Sequence, residues 1–262
     1  PIIADIHHQY KMAMAAMEAG VDGLELNMSC PHGLPERRMG SAMGEDPELM
    51  EEVCGWVMDV AKVPVWAKLT PNVTHIEDPA RAALRAGVDG VSAINTIRSV
   101  MGVDLETLRP LPTVEGHSTV GGYSSKAIRP IALRMCMEIA NLVRGEFPGK
   151  SLSGLGGVES GRDAAQFLLL GCDTVQVCTG VMKFGYGCVQ RFCDELLEFM
   201  DRKGFETLDD FKGASLQYFT THAELVRMQG ERKSRKDDGG THSGDAHWRG
   251  DEFVNQSDAL AR

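Results

Sequence analysis

The sequence predicts an α/β fold of the (β/α)8 or TIM-barrel type, and three observations carry that expectation. A short apolar strand, a loop and an amphipathic helix recur along the chain. The phrases EAGVDGLELN, RAGVDGVSAIN and LLGCDTVQV repeat one grammar of helix end, Gly, one residue, Asp and strand. Residues able to carry chemistry gather at or just after strand ends, the face on which such barrels hold their sites. Strands alternating with helices imply parallel pairing through right-handed crossovers, which leaves a closed barrel or an open doubly wound sheet. A dinucleotide G-x-G-x-x-G would favour the second, but Glu159 stands where its last glycine is needed.

In chain order, strand 2–6 leads to helix 11–19, strand 23–27 through a long loop to helix 47–60, and strand 65–69 to helix 77–86. Strand 90–94 precedes a long excursion and helix 128–143, strand 151–153 precedes helix 161–170, and strand 174–177 precedes helix 186–200. The glycine of each repeated phrase is a helix C-cap, taking the left-handed backbone without a Cβ clash. These six units are two short of eight, and the chain opens at Pro1, without Met, inside an apolar run. A fragment is therefore expected, a barrel lacking its first strands. One or two covering helices are expected over 205–225. The division is a barrel domain, 1–228, and a polar tail, 229–262, whose Gly, Ser and charge content predicts disorder.

With 262 residues, 43% of them apolar, the chain can bury one barrel-sized core. Its 27 Lys and Arg against 37 Asp and Glu leave a formal charge of -10, which disfavours a nucleic-acid binder because neutralising phosphates needs a basic surface. Cysteines at 30, 54, 136, 172, 178, 188 and 193 are odd in number and include no C-x-x-C pair. No disulfide framework, zinc site or iron–sulfur motif is visible, so a reducing, cytoplasmic setting is expected, with an organelle left open. No apolar run reaches the roughly 18 residues of a membrane span. His7, His8, His32, His75 and His117 lack metal-ligand spacing and read as surface or loop residues.

Residues 24–33, LELNMSCPHG, end an apolar run with an amide, a hydroxyl and a thiol within four residues, and Pro31 and Gly33 break regular structure after them. A lone cysteine is more often a buried filler than a catalyst. The loop beyond Cys30 is polar and glycine-punctuated, with His32, Gly33, Arg37, Arg38, Gly40, Ser41 and Gly44, as a mobile lid would be. A thiol of ordinary pKa, about 8.5, is protonated at neutral pH and can serve as a general acid. Asn27 and Asn95 follow apolar strands, and a pair of amides can match a ring of alternating carbonyl and N–H groups. Asn72, beside Pro71, reads as a turn former. Lys68 ends a strand and faces either a surface carboxylate or an anionic group in the site, since a buried lysine needs a partner. Gly154, Gly156 and Gly157 before one helix, with Thr179 and Gly180 before the next, offer backbone N–H groups to a phosphate or make tight turns only.

In this order, ELNMSCPHG, WAKLTPNVT, SAINT, GGYSSKAIRPIALR, GLGGVES and VQVCTG resemble the FMN- and pyrimidine-binding barrel of the dihydropyrimidine dehydrogenase family. The likeness runs from about Pro1 to Leu225. Dihydroorotate dehydrogenase shares the N-x-S-C-P element and is similar less closely, while SCPHG and KAIRPIALR favour the pyrimidine reductases.

The resemblance implies reduction of the C5=C6 bond of uracil or thymine, the first step of pyrimidine catabolism. Cys30 would give a proton to C5 and FMN a hydride to C6. Asn27, the backbone at Met28, Ser29, Asn95 and Thr96 would hold the ring. Lys68 would lie beside the flavin's pyrimidine edge and Ser125 in a loop contacting FMN, where a glycine is usual and a side chain would narrow the site. Leu155, Gly156, Gly157, Cys178 and Thr179 would bind the flavin phosphate and ribityl chain. NAD(P)H, FAD and iron–sulfur clusters would act only through domains or a subunit outside this chain, which alone would not couple a nicotinamide to the pyrimidine. A homo- or hetero-oligomer is expected, with neither nucleic acid nor membrane as partner. Two rivals stand beside this: dihydroorotate oxidation, with Cys30 as base and an unlocated basic group for the orotate carboxylate, and a non-catalytic truncated barrel.

Overall fold

A computed structural model of the chain describes residues 3–6, 10–30 and 40–237. In chain order, β1 (Ile3–Ile6), α1 (Tyr10–Glu18) and β2 (Gly23–Asn27) are followed by α2 (Ser41–Gly44), α3 (Pro47–Met58), β3 (Val65–Lys68), α4 (Glu77–Arg85) and β4 (Gly90–Ala93). The excursion then folds as two antiparallel ribbons: β5 (Ile97–Ser99) pairs with β8 (Gly121–Tyr123), and between them β6 (Gly102–Asp104) pairs with β7 (Arg109–Leu111). Next come α5 (Arg129–Glu146), β9 (Ser151–Leu155), α6 (Gly161–Leu169), β10 (Thr174–Gln176), α7 (Thr179–Phe184) and α8 (Cys188–Lys203).

Strands β1, β2, β3, β4, β9 and β10 lie side by side in that order, every pair parallel. Each successive strand is added on the same side of the last, which is the winding of a barrel; a doubly wound sheet reverses direction once. Among the described residues the sheet is not closed, and β1 and β10 form its two edges.

Alternate residues of a strand point to opposite faces, and the two faces differ in chemistry. Leu24, Leu26, Val65, Ala67, Val91 and Leu152 are buried in the apolar core with Met50 and Cys54 of α3, Ala83 of α4, Ile139 of α5 and Phe167 of α6. The intervening residues Glu25, Trp66, Lys68, Ser92, Ser153 and Gln176 are polar or amphipathic and bond to one another or to neighbouring strands. Burial of the first face against helices holds the sheet. The second is the barrel interior.

The helices begin and end where their caps dictate. Asp46 accepts from Leu49 N at 3.1 Å ahead of Pro47, and Ser160 accepts from Asp163 N at 3.1 Å. Gly20, Gly87 and Gly171, the glycines of the repeated phrase, take φ of 83°, 102° and 95°. The aspartate two residues later has its own task. Asp89 accepts from Val65 N at 2.9 Å and Asp173 from Leu152 N at 2.8 Å, so each pins the start of the neighbouring strand.

The chain divides at residue 216. The second unit, 217–262, holds the polar helix α9 (His222–Asp237), on which Arg227 pairs with Glu224 and Glu231. This helix runs past residue 228 into what the sequence reads as tail, and pairs three and four residues apart support it. Residues 238–262, like His7, His8, His32, Gly33, Arg37 and Arg38 of the sequence reading, lie outside the described residues.

Candidate active site

At the C-terminal ends of the strands a cleft opens, lined among others by Lys68, Asn95, Thr96, Ser125, Gly156, Gly157, Cys178 and Thr179. Its floor is the polar interior. Glu25, 7% exposed, lies on β2. Its Oε2 accepts from Lys68 Nζ at 2.9 Å, and its Oε1 accepts from Ser92 Oγ and Gln176 Nε2, both at 2.7 Å. Burial pushes this carboxyl up, but the adjacent Lys68 ammonium and the hydrogen bonds from Lys68, Ser92 and Gln176 together hold it below the usual carboxylate value. Lys68 therefore faces a buried carboxylate within the barrel.

At the β2 and β4 end, side chains bond to one another. Asn27 Oδ1 accepts from Ser29 Oγ at 3.3 Å and from Asn95 Nδ2 at 3.2 Å; Asn95 Nδ2 also donates to Ser29 Oγ at 2.7 Å. Asn95 Oδ1 accepts from Thr96 N at 2.7 Å. Asn27, Ser29, Asn95 and Thr96 are thus brought together, with the buried, free thiol of Cys30 one residue beyond Ser29. Met28 is buried in the core, and its N–H donates to the Leu26 and Lys68 carbonyls at 3.0 and 3.3 Å. Asn72 is the turn former expected, accepting from Arg98 N at 2.9 Å and donating to Thr70 Oγ1 at 2.9 Å.

Two buried cysteines away from the cleft have thiols of raised pKa. Burial pushes the Cys54 thiol up to about 12, and interaction with Cys136 together with burial raises that of Cys172 well above its ordinary value.

At the β9 and β10 end the backbone makes the site. Gly156 and Gly157 take φ of 133° and 72°, and a Cβ on Gly157 would meet the Ser125 carbonyl oxygen at 2.8 Å. The missing Cβ atoms let this turn pack against the 125–132 segment, and both glycines present backbone to the cleft that they line. Gly154, by contrast, lies inside β9, where a Cβ would meet Phe167 and Cys172 at 2.6 and 2.7 Å. It serves helix packing, and the strand runs on to Leu155 beyond its expected end. Ser125 has φ 76° and ψ −165°, a region otherwise left to glycine. Its Oγ donates to Glu159 Oε1 at 3.0 Å, to which Lys183 Nζ donates at 2.7 Å. The Lys183 hydrogen bond, aided by that from Ser125, keeps Glu159 below the usual carboxylate value. Ser124 Oγ lies 3.3 Å from Thr179 Oγ1.

Sequence reasoning missed Glu25, Gln176, Glu159 and Lys183. For Glu25 a signal existed: a glutamate between two leucines in a strand is the polar member of a period-two pattern.

The chain matches the family model described as dihydroorotate dehydrogenase over residues 3–200. It belongs to the dihydroorotate dehydrogenase family. Within and around that family, the chain is 56% identical over 245 residues to dihydropyrimidine dehydrogenase (NADP(+)), chloroplastic, of Arabidopsis thaliana, covering 93% of this chain and 58% of the relative. It is 40% identical over 217 residues to the NAD-dependent dihydropyrimidine dehydrogenase subunit PreA of Escherichia coli K12, covering 83% and 52%. To the dihydroorotate dehydrogenase B (NAD(+)) catalytic subunit of Pyrococcus horikoshii it is 36% identical over 221 residues, covering 83% and 69%. The chain thus spans about half the length of the two dihydropyrimidine dehydrogenase relatives. The crystal structure of DHODH in complex with ferulenol from Eimeria tenella superposes with a TM-score of 0.61 at 20% identity, over 78% of this chain and 57% of that one, which shows the fold. Among the described residues no helix is long and apolar enough to cross a membrane.

Proposed function

We propose that this chain is the FMN- and pyrimidine-binding barrel of a dihydropyrimidine dehydrogenase, reducing the C5=C6 bond of uracil or thymine to the 5,6-dihydropyrimidine. The observation that carries this reading is the hydrogen-bonded cluster of Asn27, Ser29 and Asn95 beside Cys30, of which Asn95 lines a cleft whose other end holds Gly156 and Gly157. The donor set fits a flavin: a cation, Lys68, lines one wall, while the backbone of Gly156 and Gly157 and the Thr179 hydroxyl line the other, where a phosphate would find donors. FMN, when bound, supplies a hydride for pyrimidine C6.

The chain's own residues do the rest. Asn27 and Asn95 each offer an amide acceptor and donor, and exchange their mutual bonds for those of the ring. Thr96 adds a hydroxyl in the lining, and Ser29, buried behind Asn95, adds one to the cluster. Cys30 holds the proton that passes from Sγ to C5. Leu155 and Cys178 flank the ribityl and phosphate end, and Ser125 turns its hydroxyl to Glu159 rather than across the cleft. NAD(P)H, FAD and iron–sulfur groups held by a domain or subunit outside this chain would supply the electrons. A compartment that keeps thiols reduced, the cytoplasm or an organelle, suits seven free cysteines. The similarity to two dihydropyrimidine dehydrogenases supports this reading above dihydroorotate oxidation.

The test bypasses the electron donor. The chain is loaded with FMN, reduced anaerobically with dithionite and mixed with candidate acceptors while flavin absorbance is followed. Uracil or thymine is expected to restore the oxidised spectrum. Reoxidation by orotate alone would transfer the assignment to dihydroorotate chemistry, and failure to take up FMN would end the flavin reading.

A further inference from the structure

Glu25 does not line the cleft, yet side chains from three other strands are committed to it. Lys68 reaches it from β3, Ser92 from β4 and Gln176 from β10; Ser153 of β9 accepts a second hydrogen bond from Gln176 at 3.1 Å. A carboxylate this buried is costly unless its charge and lone pairs are met. The same space could be filled by aliphatic side chains, as barrel interiors commonly are. The charge therefore serves Lys68, the cation of the cleft wall, whose flexible stem would otherwise sample many rotamers.

We propose that Glu25 is a positioning residue: it holds the Lys68 ammonium in one place on the cleft wall and cancels most of its charge, so that a bound flavin meets a fixed donor rather than a bare cation. This rests on the FMN reading above. Ser92 and Gln176 act one step further out, orienting Oε1 so that Oε2 is left for Lys68.

A double-mutant cycle separates this role from a merely structural one. The FMN-loaded chain is titrated with sulfite, an anion whose addition to the flavin leaves negative charge on the ring, and its dissociation constant is read from the flavin absorbance. Glu25→Gln keeps the size of the side chain and removes its charge. Sulfite affinity is expected to rise about tenfold in Glu25→Gln, because the ammonium is unmasked in a partly shielded interior. In a Lys68→Met background the same change is expected to move it by less than about twofold. Should Glu25→Gln fold poorly, Glu25→Asp runs the same cycle: drawing the carboxylate back raises affinity about threefold, again only where Lys68 is present. Equal shifts with and without Lys68, or no shift in either, overturn the proposal. A wild-type chain that takes up no FMN strikes the cofactor reading, and this proposal with it; FMN uptake without a Lys68-dependent shift strikes Glu25 alone.

Discussion

At the β2 and β4 end of the cleft the polar groups are side chains bonded to one another, whereas at the β9 and β10 end the backbone of Gly156 and Gly157 joins the Ser125, Glu159 and Thr179 side chains in the lining. The first arrangement is complete without a ligand. Asn27, Ser29 and Asn95 satisfy each other at 2.7–3.3 Å, so a ring that enters must replace those bonds, and the gain is the difference between two sets of partners. In the second, close packing of the 156–157 turn against the 125–132 segment sets the shape of the lining. A single methyl on Gly157 would meet the Ser125 carbonyl oxygen at 2.8 Å and the Arg129 Cβ at 2.9 Å. Changes at the first end should therefore cost affinity or chemistry while leaving the fold intact; changes at the second should remove shape.

The largest effect expected belongs to Cys30. Cys30→Ala, made in the complete enzyme, should keep FMN and lose about 10²–10⁴-fold in turnover, the usual contribution of a general acid. Cys30→Ser should be nearly as poor, since a hydroxyl is a far weaker acid. Steady-state rates at neutral pH with flavin content measured alongside decide it, and near-normal turnover by either variant takes Cys30 out of the mechanism.

Gly157→Ala is the matching change at the other end. It places a side chain at φ 72° against a backbone oxygen, at a cost of about 2–4 kcal/mol in stability. FMN uptake should fall with it. Flavin binding and stability both unchanged would mean that the backbone at 156–157 can move aside, and the contrast between the two ends would dissolve.

Asn27→Ala and Asn95→Ala come next. Each should weaken uracil binding by about 1–3 kcal/mol per group left unpaired, with FMN uptake untouched. Calorimetry on flavin-loaded protein checks both. If either variant loses FMN in preference to uracil, side-chain recognition is not confined to this end.

The parts of this molecule that the sequence discloses are those where one residue type has one physical use. Gly20, Gly87 and Gly171 announce helix ends because a left-handed cap has few other occupants, and the apolar strands between them follow. Ribbons β5 to β8 stayed hidden inside a long excursion, since strands of three residues are too short to establish a period. The sequence groups Gly154 with Gly156 and Gly157, and all three admit close packing by the protein's own atoms. What separates them is position: Gly156 and Gly157 line the cleft, whereas Gly154 lies inside β9. Glu25 was absorbed into an apolar run, although its partners lie as far away as Gln176, and no local pattern points there.

Ser125 yields the smallest effect and the finest test of the backbone end. Its φ of 76° and ψ of −165° lie where a side chain costs on the order of 1–3 kcal/mol, and its hydroxyl recovers part of that through the 3.0 Å bond to Glu159. Ser125→Ala keeps the strained backbone and loses the bond, so it should destabilise by about 1 kcal/mol. Ser125→Gly loses the same bond, relieves the strain and adds chain entropy to the unfolded state worth roughly 0.5–1 kcal/mol. It should fall close to wild type and about 1 kcal/mol above Ser125→Ala, with equal m-values in urea. Because both variants lack the hydroxyl, their difference reports the backbone alone. An alanine variant as stable as the glycine one would mean that position 125 is unstrained, and that the loop facing Gly157 owes its shape to the Glu159 and Lys183 side chains instead.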